Sequence, residues 1–264
     1  MTIQFLIVPG AGHLAKAYSP LASALQNHGY KATIASYPSL NAPNPMSATC
    51  AQDGAAVRVL LLSLFEEGSE EEPKIVLVNH SYGGMVGCQA AYGEHLKGRR
   101  DAGKSGGVIG IINMAGFPGK EGVSLMQASW GKSAEYVRNN QPAPGLCEVE
   151  NPVEVFFHDV DADLANETVK LLRPHSMNAF ATPPGPSATT EPALKGRLAF
   201  LKTTEDKALS PTDQDMIMEM IENMDGVKWL KKEIQTSHSP FLSKPDVTAR
   251  ILEEWGLYFE GLGW

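Results

Sequence analysis

The chain has 264 residues, enough for one large domain or for one domain with an inserted subdomain. Its composition, 43% hydrophobic and 20% charged, is that of an ordinary globular protein. The excess of 30 acidic over 22 basic residues gives a net charge of −8, which makes nucleic acid and anionic membrane surfaces poor partners. We therefore expect neither nucleic-acid binding nor membrane binding.

The three cysteines indicate a reducing compartment. Cys50, Cys88 and Cys147 lie far apart and form no CxxC pair, and their odd number argues against a disulfide framework. The N-terminal apolar run 3–8 is too short for a signal peptide and lacks a basic region before it. No stretch reaches the ~18 apolar residues that a membrane helix needs. We expect a cytoplasmic protein.

The N-terminal half alternates strand and helix patterns. In chain order, the predicted elements are a strand over 5–8, a helix over 18–28, a strand over 31–36, a helix over 48–65, a strand over 75–78, a helix over 85–92 and a strand over 108–113. Such alternation predicts a doubly wound α/β fold, with a mostly parallel sheet and helices on both faces.

The alternation stops after Gly116. About 80 residues precede the next clear strand, over 198–201, whereas ordinary connections have ~4–6 residues. We therefore expect a core formed by residues 1–115 and 197–264, and an inserted, mainly helical cap subdomain over 116–196. The elements predicted within and after this insert are a helix over 162–172, an exposed linker over 183–187, a helix over 212–223, a strand over 227–233 and a helix over 246–259.

The segment Asn-His-Ser-Tyr-Gly-Gly, residues 79–84, gives the strongest functional signal. It lies between an apolar strand and a predicted helix. A serine on a tight strand-to-helix turn among small residues is typical of the nucleophile elbow of serine hydrolases. Such a turn holds its serine in a strained backbone conformation, and strain of that kind persists where function requires it. Ser81 is therefore the predicted nucleophile.

A serine hydroxyl is a weak nucleophile and needs a base, normally a histidine held by a carboxylate. Enzymes with this elbow carry the three residues in the order Ser, Asp or Glu, His. Downstream of Ser81, Glu205 and Asp206 follow the strand over 198–201, and His238 follows the last predicted strand. Open α/β sheets bind ligands at the carboxyl ends of their strands. The sequence thus predicts His238 as the base, with Glu205 or Asp206 as its acid.

The oxyanion of an acyl-transfer reaction needs backbone N–H donors. One predicted donor is Tyr82, the residue after the nucleophile. The other should come from the first strand-to-helix turn, Pro-Gly-Ala-Gly-His over 9–13, where glycine lets the backbone approach a ligand. Ala11 is the donor that we predict there. Neighbouring residues predicted to contact the substrate are Gly10, Gly12 and His13.

These segments resemble the α/β-hydrolase superfamily, and within it the branch of plant methyl-ester esterases and hydroxynitrile lyases. The matching segments are VPGAGH (8–13), VNHSYGGM (78–85), TEDK (204–207) and SHSPFLSKP (237–245), with further similarity at 155–159 and 172–176. The resemblance spans nearly the whole chain. It implies Asp206 rather than Glu205 as the triad acid, and a cap over the active site.

Two positions depart from the family pattern. Asn79 stands where the elbow usually begins with Gly, and Pro9-Gly10 stands where the oxyanion turn usually opens with His-Gly. Asn tolerates unusual backbone angles better than most residues, so the elbow can still form. The lyases of this branch resemble one another in having Thr in the oxyanion turn and Lys directly after the triad His. Gly10 and Ser239 occupy those positions here, which favours hydrolysis over cyanohydrin cleavage.

Two segments partly match cofactor-binding motifs and fail at required positions. The segment 10–15 matches the G-x-G-x-x-A dinucleotide fingerprint, but the second strand ends at 35–38 without the acid that such a site requires. A calcium loop starting at Asp159 would place Leu164 where Gly is needed and Lys170 where Glu is needed. We therefore expect no cofactor and no metal.

The insert carries enough apolar residues to line a substrate pocket. Further residues predicted to contact the substrate are Trp130, Phe157 and Ser239. We expect a serine hydrolase that cleaves a carboxylic ester or lactone of a small, largely apolar substrate through an acyl-enzyme. The alternatives are a hydroxynitrile-lyase-like or C–C bond-cleaving enzyme on the same scaffold, and a non-catalytic receptor for a small ligand. The expected partner is a small-molecule substrate, and a homodimer is left open.

Overall fold

A computed structural model describes residues 3–40, 43–44, 46–66, 72–129 and 134–264. In chain order, its strands and helices are β1 (Ile3–Val8), α1 (Ser19–Asn27), β2 (Lys31–Ile34), α2 (Cys50–Glu66), β3 (Lys74–His80), α3 (Gly83–Ala90), α4 (Leu96–Asp101), β4 (Gly107–Met114), α5 (Leu125–Ala128), β5 (Val137–Asn139), β6 (Leu146–Val149), α6 (Pro152–Phe156), α7 (Ala162–Val169), β7 (His175–Ser176), α8 (Met177–Ala181), β8 (Leu198–Thr203), α9 (Pro211–Asp225), β9 (Leu230–Ile234), α10 (Pro240–Ser243) and α11 (Pro245–Gly261). Short 3-10 helices precede α1 and β8, at Ala15–Tyr18, Ala188–Thr190 and Pro192–Leu194.

The central sheet has six parallel strands in the order β2-β1-β3-β4-β8-β9. Strands β1 and β4 are buried along their whole length, and their sequences are almost continuously apolar. Continuous apolar strands are what a parallel sheet covered on both faces requires. The doubly wound α/β fold predicted from the sequence is confirmed.

Helices pack on both faces of this sheet. Helices α2, α3 and α9 bury apolar side chains against one face, where Val57 and Leu61 of α2 and Ile217 of α9 belong to one core cluster. Helices α1 and α11 cover the other face, where Leu21 of α1 and Trp255 of α11 belong to a second cluster. The sheet is thereby rigid along its central strands, and its carboxyl edge offers a fixed platform for loops.

The carboxyl ends of β1 and β3 form a switch point in the sheet. The chain leaves β1 toward β2 on one side, and then returns to build β3 and β4 on the other side. Val8 at the end of β1 is in register with Asn79 near the end of β3. Ligands of open α/β sheets bind in the crevice at such a point. The turn after β1 and the turn containing Ser81 therefore face each other there.

Residues 115–197, which join β4 to β8 and are called the insert below, contain the helices α5 to α8 and a three-stranded antiparallel sheet in the order β5-β6-β7. The helix predicted over 162–172 is α7, which ends at Val169. The small sheet was not predicted, because strands of two to four residues show no measurable periodicity. The assignment of 116–196 as a separate cap subdomain stays a prediction.

The last strand of the sheet begins later than the sequence predicts. The strand predicted over 227–233 begins at Leu230, because α9 continues to Asp225 and Gly226 then ends it with a φ of 62°. Within the described ranges, no helix is both long enough and apolar enough to cross a membrane.

Candidate active site

Ser81 lies in a sharp turn between β3 and α3. Its φ is 52°, in the left-handed region that residues other than glycine seldom adopt. The Ser81 N–H donates to the Met114 carbonyl at the end of β4, at 3.1 Å, and the Ser81 carbonyl accepts from the Phe117 N–H at 3.2 Å. These bonds fix the turn to the neighbouring strand, so the strained conformation is held by the sheet itself.

Glycines allow this turn to sit against the sheet. A Cβ at Gly83 would lie 2.3 Å from the Val8 carbonyl oxygen, so only glycine lets α3 begin so close to β1. A Cβ at Gly87 would lie 1.9 Å from Oδ1 of Asn79. Asn79, which replaces the usual elbow glycine, therefore fits because Gly87 leaves room for its side chain one turn into α3.

His238 and Asp206 meet at the carboxyl end of the sheet. The distance from His238 Nδ1 to Asp206 Oδ2 is 2.7 Å, and both side chains are buried. Glu205 instead is exposed and accepts a hydrogen bond from Gln235. The structure thus places Asp206, and not Glu205, against the histidine. A carboxylate accepts the Nδ1 proton, which leaves the Nε2 lone pair of His238 available to take a proton.

Several hydrogen-bond donors surround the Asp206 carboxylate. The backbone N–H groups of Ala208 and Leu209 each donate to Oδ1 at 2.8 Å. The Thr203 hydroxyl donates to Oδ2 at 2.8 Å, and the Gln214 amide donates to the same oxygen at 3.3 Å. These donors fix the Asp206 carboxylate in the orientation in which Oδ2 meets Nδ1 of His238.

His80, the residue before Ser81, links the turn after β1 to the loop that carries His238. Gly10 N–H donates to the Tyr18 hydroxyl at 2.8 Å, and the hydroxyl lies 2.7 Å from His80 Nδ1. The His80 Nε2 in turn lies 2.9 Å from the His238 carbonyl oxygen. Since that carbonyl can only accept, His80 carries its proton on Nε2, and Tyr18 must donate to Nδ1. We call this series of hydrogen bonds, from Gly10 through Tyr18 and His80 to His238, the Tyr18–His80 chain.

The insert holds the His238 loop from the opposite side. The Ser237 N–H donates to Asp159 Oδ2 at 2.9 Å, and the Ser237 hydroxyl donates to the Phe156 carbonyl at 2.8 Å. The Phe156 ring stacks on the His238 imidazole, with centroids 5.5 Å apart and an interplanar angle of 28°. The position of His238 therefore depends on the insert as well as on the sheet.

The turn after β1 presents backbone N–H groups near Ser81. His13 N–H donates to the Gly10 carbonyl at 3.2 Å, and Gly12 at the third position of this turn has a φ of 74°. The Tyr37 hydroxyl fixes the turn through the carbonyls of Pro9 and Gly10. Among the residues that the structure describes, neither the Ala11 N–H nor the Tyr82 N–H has a hydrogen-bond partner. Both predicted oxyanion donors are thus free.

A cavity of about 750 Å³ brings these groups together. Ser81, His238, Ala11 and Tyr82 all line it, and most of its remaining wall comes from the insert. The apolar side chains on that wall include Leu125, Met126, Tyr136, Phe156, Met177 and Phe180. Such a wall suits a substrate that is largely apolar around its reacting group.

The residues predicted to contact the substrate are only partly at the cavity. Gly12 and His13 line it, whereas Gly10, Phe157 and Ser239 do not. Phe156 lines the cavity in place of its neighbour, and Phe157 is fully buried. Trp130 falls outside the described residues. The sequence shows two adjacent phenylalanines and gives no sign of which one faces the cavity.

Three other buried histidines surround the site, and all are uncharged at neutral pH. Burial lowers the pKa of His13 to about 4 and that of His175 to about 3. Burial, with His238 and His13 nearby, holds the pKa of His80 well below its usual value. Of these four histidines, His238 is the one that contacts a carboxylate among the described residues, that of Asp206.

Comparisons with known proteins give one consistent result. The model of the alpha/beta hydrolase family matches residues 5–251. The chain is 26% identical over 249 residues to the alpha/beta hydrolase nvfD of Aspergillus novofumigatus, and the match covers 94% of each chain.

Solved structures show the same fold. The methylesterase MES16 from Arabidopsis superposes with a TM-score of 0.70 at 19% identity, covering 97% of this chain and 99% of that chain. A pyrethroid hydrolase from Sphingobium faniae JZ-2 superposes with a TM-score of 0.70 at 15% identity, covering 97% of this chain and 98% of that chain.

Proposed function

Because this chain belongs to the alpha/beta hydrolase family, we propose that it is a serine hydrolase that cleaves a carboxylic ester or lactone of a small, largely apolar substrate through an acyl-enzyme. The observation that carries the proposal is the cavity itself. Ser81 in its left-handed turn, His238, Ala11 and Tyr82 all border one space, and Asp206 Oδ2 lies 2.7 Å from His238 Nδ1. Each role of an acyl-transfer site thus has a residue of the right chemistry.

In the first half of the reaction, the Ser81 oxygen attacks the ester carbonyl carbon while His238 Nε2 takes the hydroxyl proton. Asp206 stabilises the resulting imidazolium through Nδ1. The carbonyl oxygen becomes an oxyanion, which the N–H groups of Ala11 and Tyr82 bind. When the tetrahedral intermediate collapses, the C–O bond to the alcohol breaks and His238 gives its proton to the leaving oxygen.

In the second half, water attacks the acyl-enzyme. His238 takes one proton from the water, and the same two N–H groups bind the second oxyanion. Collapse breaks the bond to Ser81, whose oxygen regains a proton from His238, and the carboxylic acid leaves. Both halves use side chains and backbone groups of this chain alone.

The substrate class rests on the cavity wall and on the family. Most of the wall is apolar, and the cavity is large enough for a small organic molecule. Proteins of the same fold include a methylesterase and a pyrethroid hydrolase. Both observations support an ester of a compact apolar compound.

The proposal is tested with the purified chain, p-nitrophenyl acetate and butyrate, and a fluorophosphonate probe. We expect turnover of the esters and covalent labelling of Ser81, both of which Ser81→Ala abolishes. Folded protein that neither hydrolyses these esters nor takes up the probe would refute the proposal. Cleavage of a cyanohydrin or ketone without ester turnover would instead indicate the lyase alternative.

A further inference from the structure

His175 is a polar residue in the apolar wall of the cavity. It is the first residue of β7, pairs with Cys147 of β6 and bridges to Leu40 of the loop after β2. It therefore sits where the insert joins the core, and it lines the same cavity as Ser81. None of the catalytic roles proposed above uses it.

Its imidazole ring is held in one orientation from three sides. Nε2 lies 3.2 Å from the Ser39 hydroxyl. The Phe180 ring stacks on it with centroids 4.6 Å apart, and the Tyr82 ring packs edge-on at 4.9 Å. A ring fixed in this way cannot turn its second nitrogen toward another partner without losing these contacts.

That second nitrogen, Nδ1, is buried and has no hydrogen-bond partner among the described residues. Buried polar atoms in native proteins are nearly always paired, because an unpaired one costs free energy. No described residue supplies this partner and His175 borders the cavity, so a molecule bound in the cavity is the candidate.

The chemistry of this partner follows from the state of the ring. Burial lowers the pKa of His175 to about 3, so the imidazole is neutral in the range where esterases work and offers no charge to an anion. A neutral imidazole nitrogen is a donor in one tautomer and an acceptor in the other. A hydroxyl group can pair with it in both cases, because it both donates and accepts.

We propose that Nδ1 of His175 hydrogen-bonds a hydroxyl group of the substrate, so that the preferred substrate is a hydroxylated ester or lactone. The inference rests on the proposed ester-hydrolase function. His175 packs against the ring of Tyr82, and both residues line the cavity. The hydroxyl belongs on the part of the substrate that reaches His175, and the rest of the molecule meets the apolar wall.

His13 is the other cavity histidine with an unpaired nitrogen. Its Nε2 is buried without a partner, while Nδ1 donates to the Ala11 carbonyl at 2.8 Å. Substitution of His13 would therefore disturb the oxyanion turn as well as any substrate contact. His175 has no bond to that turn, which makes it the residue to test.

The test compares methyl cyclohexanecarboxylate with its 2-, 3- and 4-hydroxy derivatives as substrates of the full chain. A site that hydrogen-bonds a substrate hydroxyl discriminates against the analogue that lacks it. We expect wild type to prefer at least one hydroxylated isomer by about tenfold or more in kcat/KM. The measured quantity is the ratio of kcat/KM for the hydroxylated and unsubstituted esters within each enzyme.

Three substitutions separate the two ring nitrogens. His175→Phe keeps the aromatic stack and removes both nitrogens, and His175→Gln keeps a polar group only near the Ser39 side. In both variants the ratio should fall to about one. His175→Asn places an amide near the Nδ1 position and should retain part of the preference. A ratio that stays high in His175→Phe would contradict the inference.

One measurement does not depend on whether the His175 variants fold, because it keeps His175 unchanged. In the Ser81→Ala protein, the ¹⁵N resonance of His175 Nδ1 should shift when the preferred hydroxylated ester binds and should not shift with the unsubstituted ester. If wild type hydrolyses p-nitrophenyl esters but shows no preference for, or no turnover of, any hydroxylated isomer, the inference is wrong and the proposed function stands. If no ester is hydrolysed and Ser81 is not labelled, the proposed function itself fails.

Discussion

Nε2 of His80 donates a hydrogen bond to the backbone carbonyl of His238 at 2.9 Å. The residue that precedes the proposed nucleophile thus holds the loop of the proposed base. Because Tyr18 links the His80 imidazole to the Gly10 N–H, the Tyr18–His80 chain also reaches the turn after β1. All of these groups are buried, so no water competes for the bonds. The Tyr18–His80 chain therefore sets the spacing of three loops that, in the proposed mechanism, act on one carbonyl group.

Tyr18→Phe should lower kcat about tenfold with little change in KM. Loss of the hydroxyl leaves the Gly10 N–H and His80 Nδ1 unpaired, and a buried unpaired group costs about 1–3 kcal/mol. The matched control is Tyr30→Phe, since the Tyr30 hydroxyl bonds Glu253 far from the cavity. Steady-state kinetics on a p-nitrophenyl ester should show a lower kcat in Tyr18→Phe and an unchanged kcat in Tyr30→Phe. Equal kcat values in the two variants would show that the Tyr18–His80 chain does not position the site.

Asp159→Ala, a substitution in the insert, should impair catalysis. Without Asp159 Oδ2, the Ser237 N–H loses its partner and His238 is less firmly held against Asp206. We expect a lower kcat and a changed acid limb in the pH profile of kcat/KM, which reports the base of the free enzyme.

The control for that prediction is Asp161→Ala, which removes a carboxylate two residues away. Asp161 caps α7 by accepting from the N–H groups of Asp163 and Leu164. Its loss should lower the free energy of unfolding by about 1 kcal/mol and leave the pH profile unchanged. If both variants changed the profile in the same way, the effect would be one of stability rather than of position.

Asp206→Asn should reduce kcat by about 10³–10⁴. The amide would donate to His238 Nδ1, which forces the ring proton onto Nε2 and leaves no lone pair to accept the serine proton. Glu205→Gln is the matched control, because Glu205 is exposed and bonds Gln235 instead. Kinetics should show an unchanged kcat for the control. A large loss in Glu205→Gln would reassign the acid.

Asp206 and Glu205 also show what the sequence alone could and could not predict. The strand and helix alternation predicted the sheet, and the positions of Ser81 and His238 at strand ends followed from it. Glu205 and Asp206 are adjacent carboxylates in one turn, so the pattern alone left both open, and the family resemblance favoured Asp206. Only the three-dimensional course of the turn shows that the Asp206 side chain points inward.

The insert was the part that the sequence described least well. Its strands have two to four residues, which is too short for a periodic pattern. The cavity wall depends on how these pieces pack on the core, so Phe156 and Phe157 could not be told apart. The sequence pattern predicts only a helix position for Tyr18, because a hydrogen bond to His80, 62 positions away, leaves no local signal.

Gly87→Ala should destabilise the fold through Asn79. The new Cβ would lie 1.9 Å from Asn79 Oδ1, so α3 or the end of β3 must shift. Overpacking of this kind costs about 1–3 kcal/mol. Asn79→Gly removes the clash, so the double variant should recover most of the loss. Urea unfolding of the four proteins gives the coupling free energy, and strictly additive effects would contradict the explanation of Asn79.

Acid should destabilise the protein through its buried neutral histidines. The pKa of His175 falls from 6.5 in a free histidine to about 3 in the fold, and that of His13 falls to about 4. Below pH 6.5 the unfolded chain binds protons that the folded chain does not, so stability is fully present above pH 6.5 and decreases as the pH falls toward the folded pKa. Each such group contributes a slope of about 1.4 kcal/mol per pH unit.

Buried carboxyls act in the opposite direction, so a single stability curve does not isolate the histidines. Burial raises the pKa of Asp53, and the folded chain therefore binds that proton more readily than the unfolded chain. The difference between wild type and His175→Phe removes this contribution, because Asp53 is present in both. Urea unfolding between pH 7.5 and 4.5 should show a slope that is shallower in the variant by about 1.4 kcal/mol per pH unit below pH 6. Parallel curves would mean that His175 is protonated in the folded protein, and a charged ring would then face the cavity.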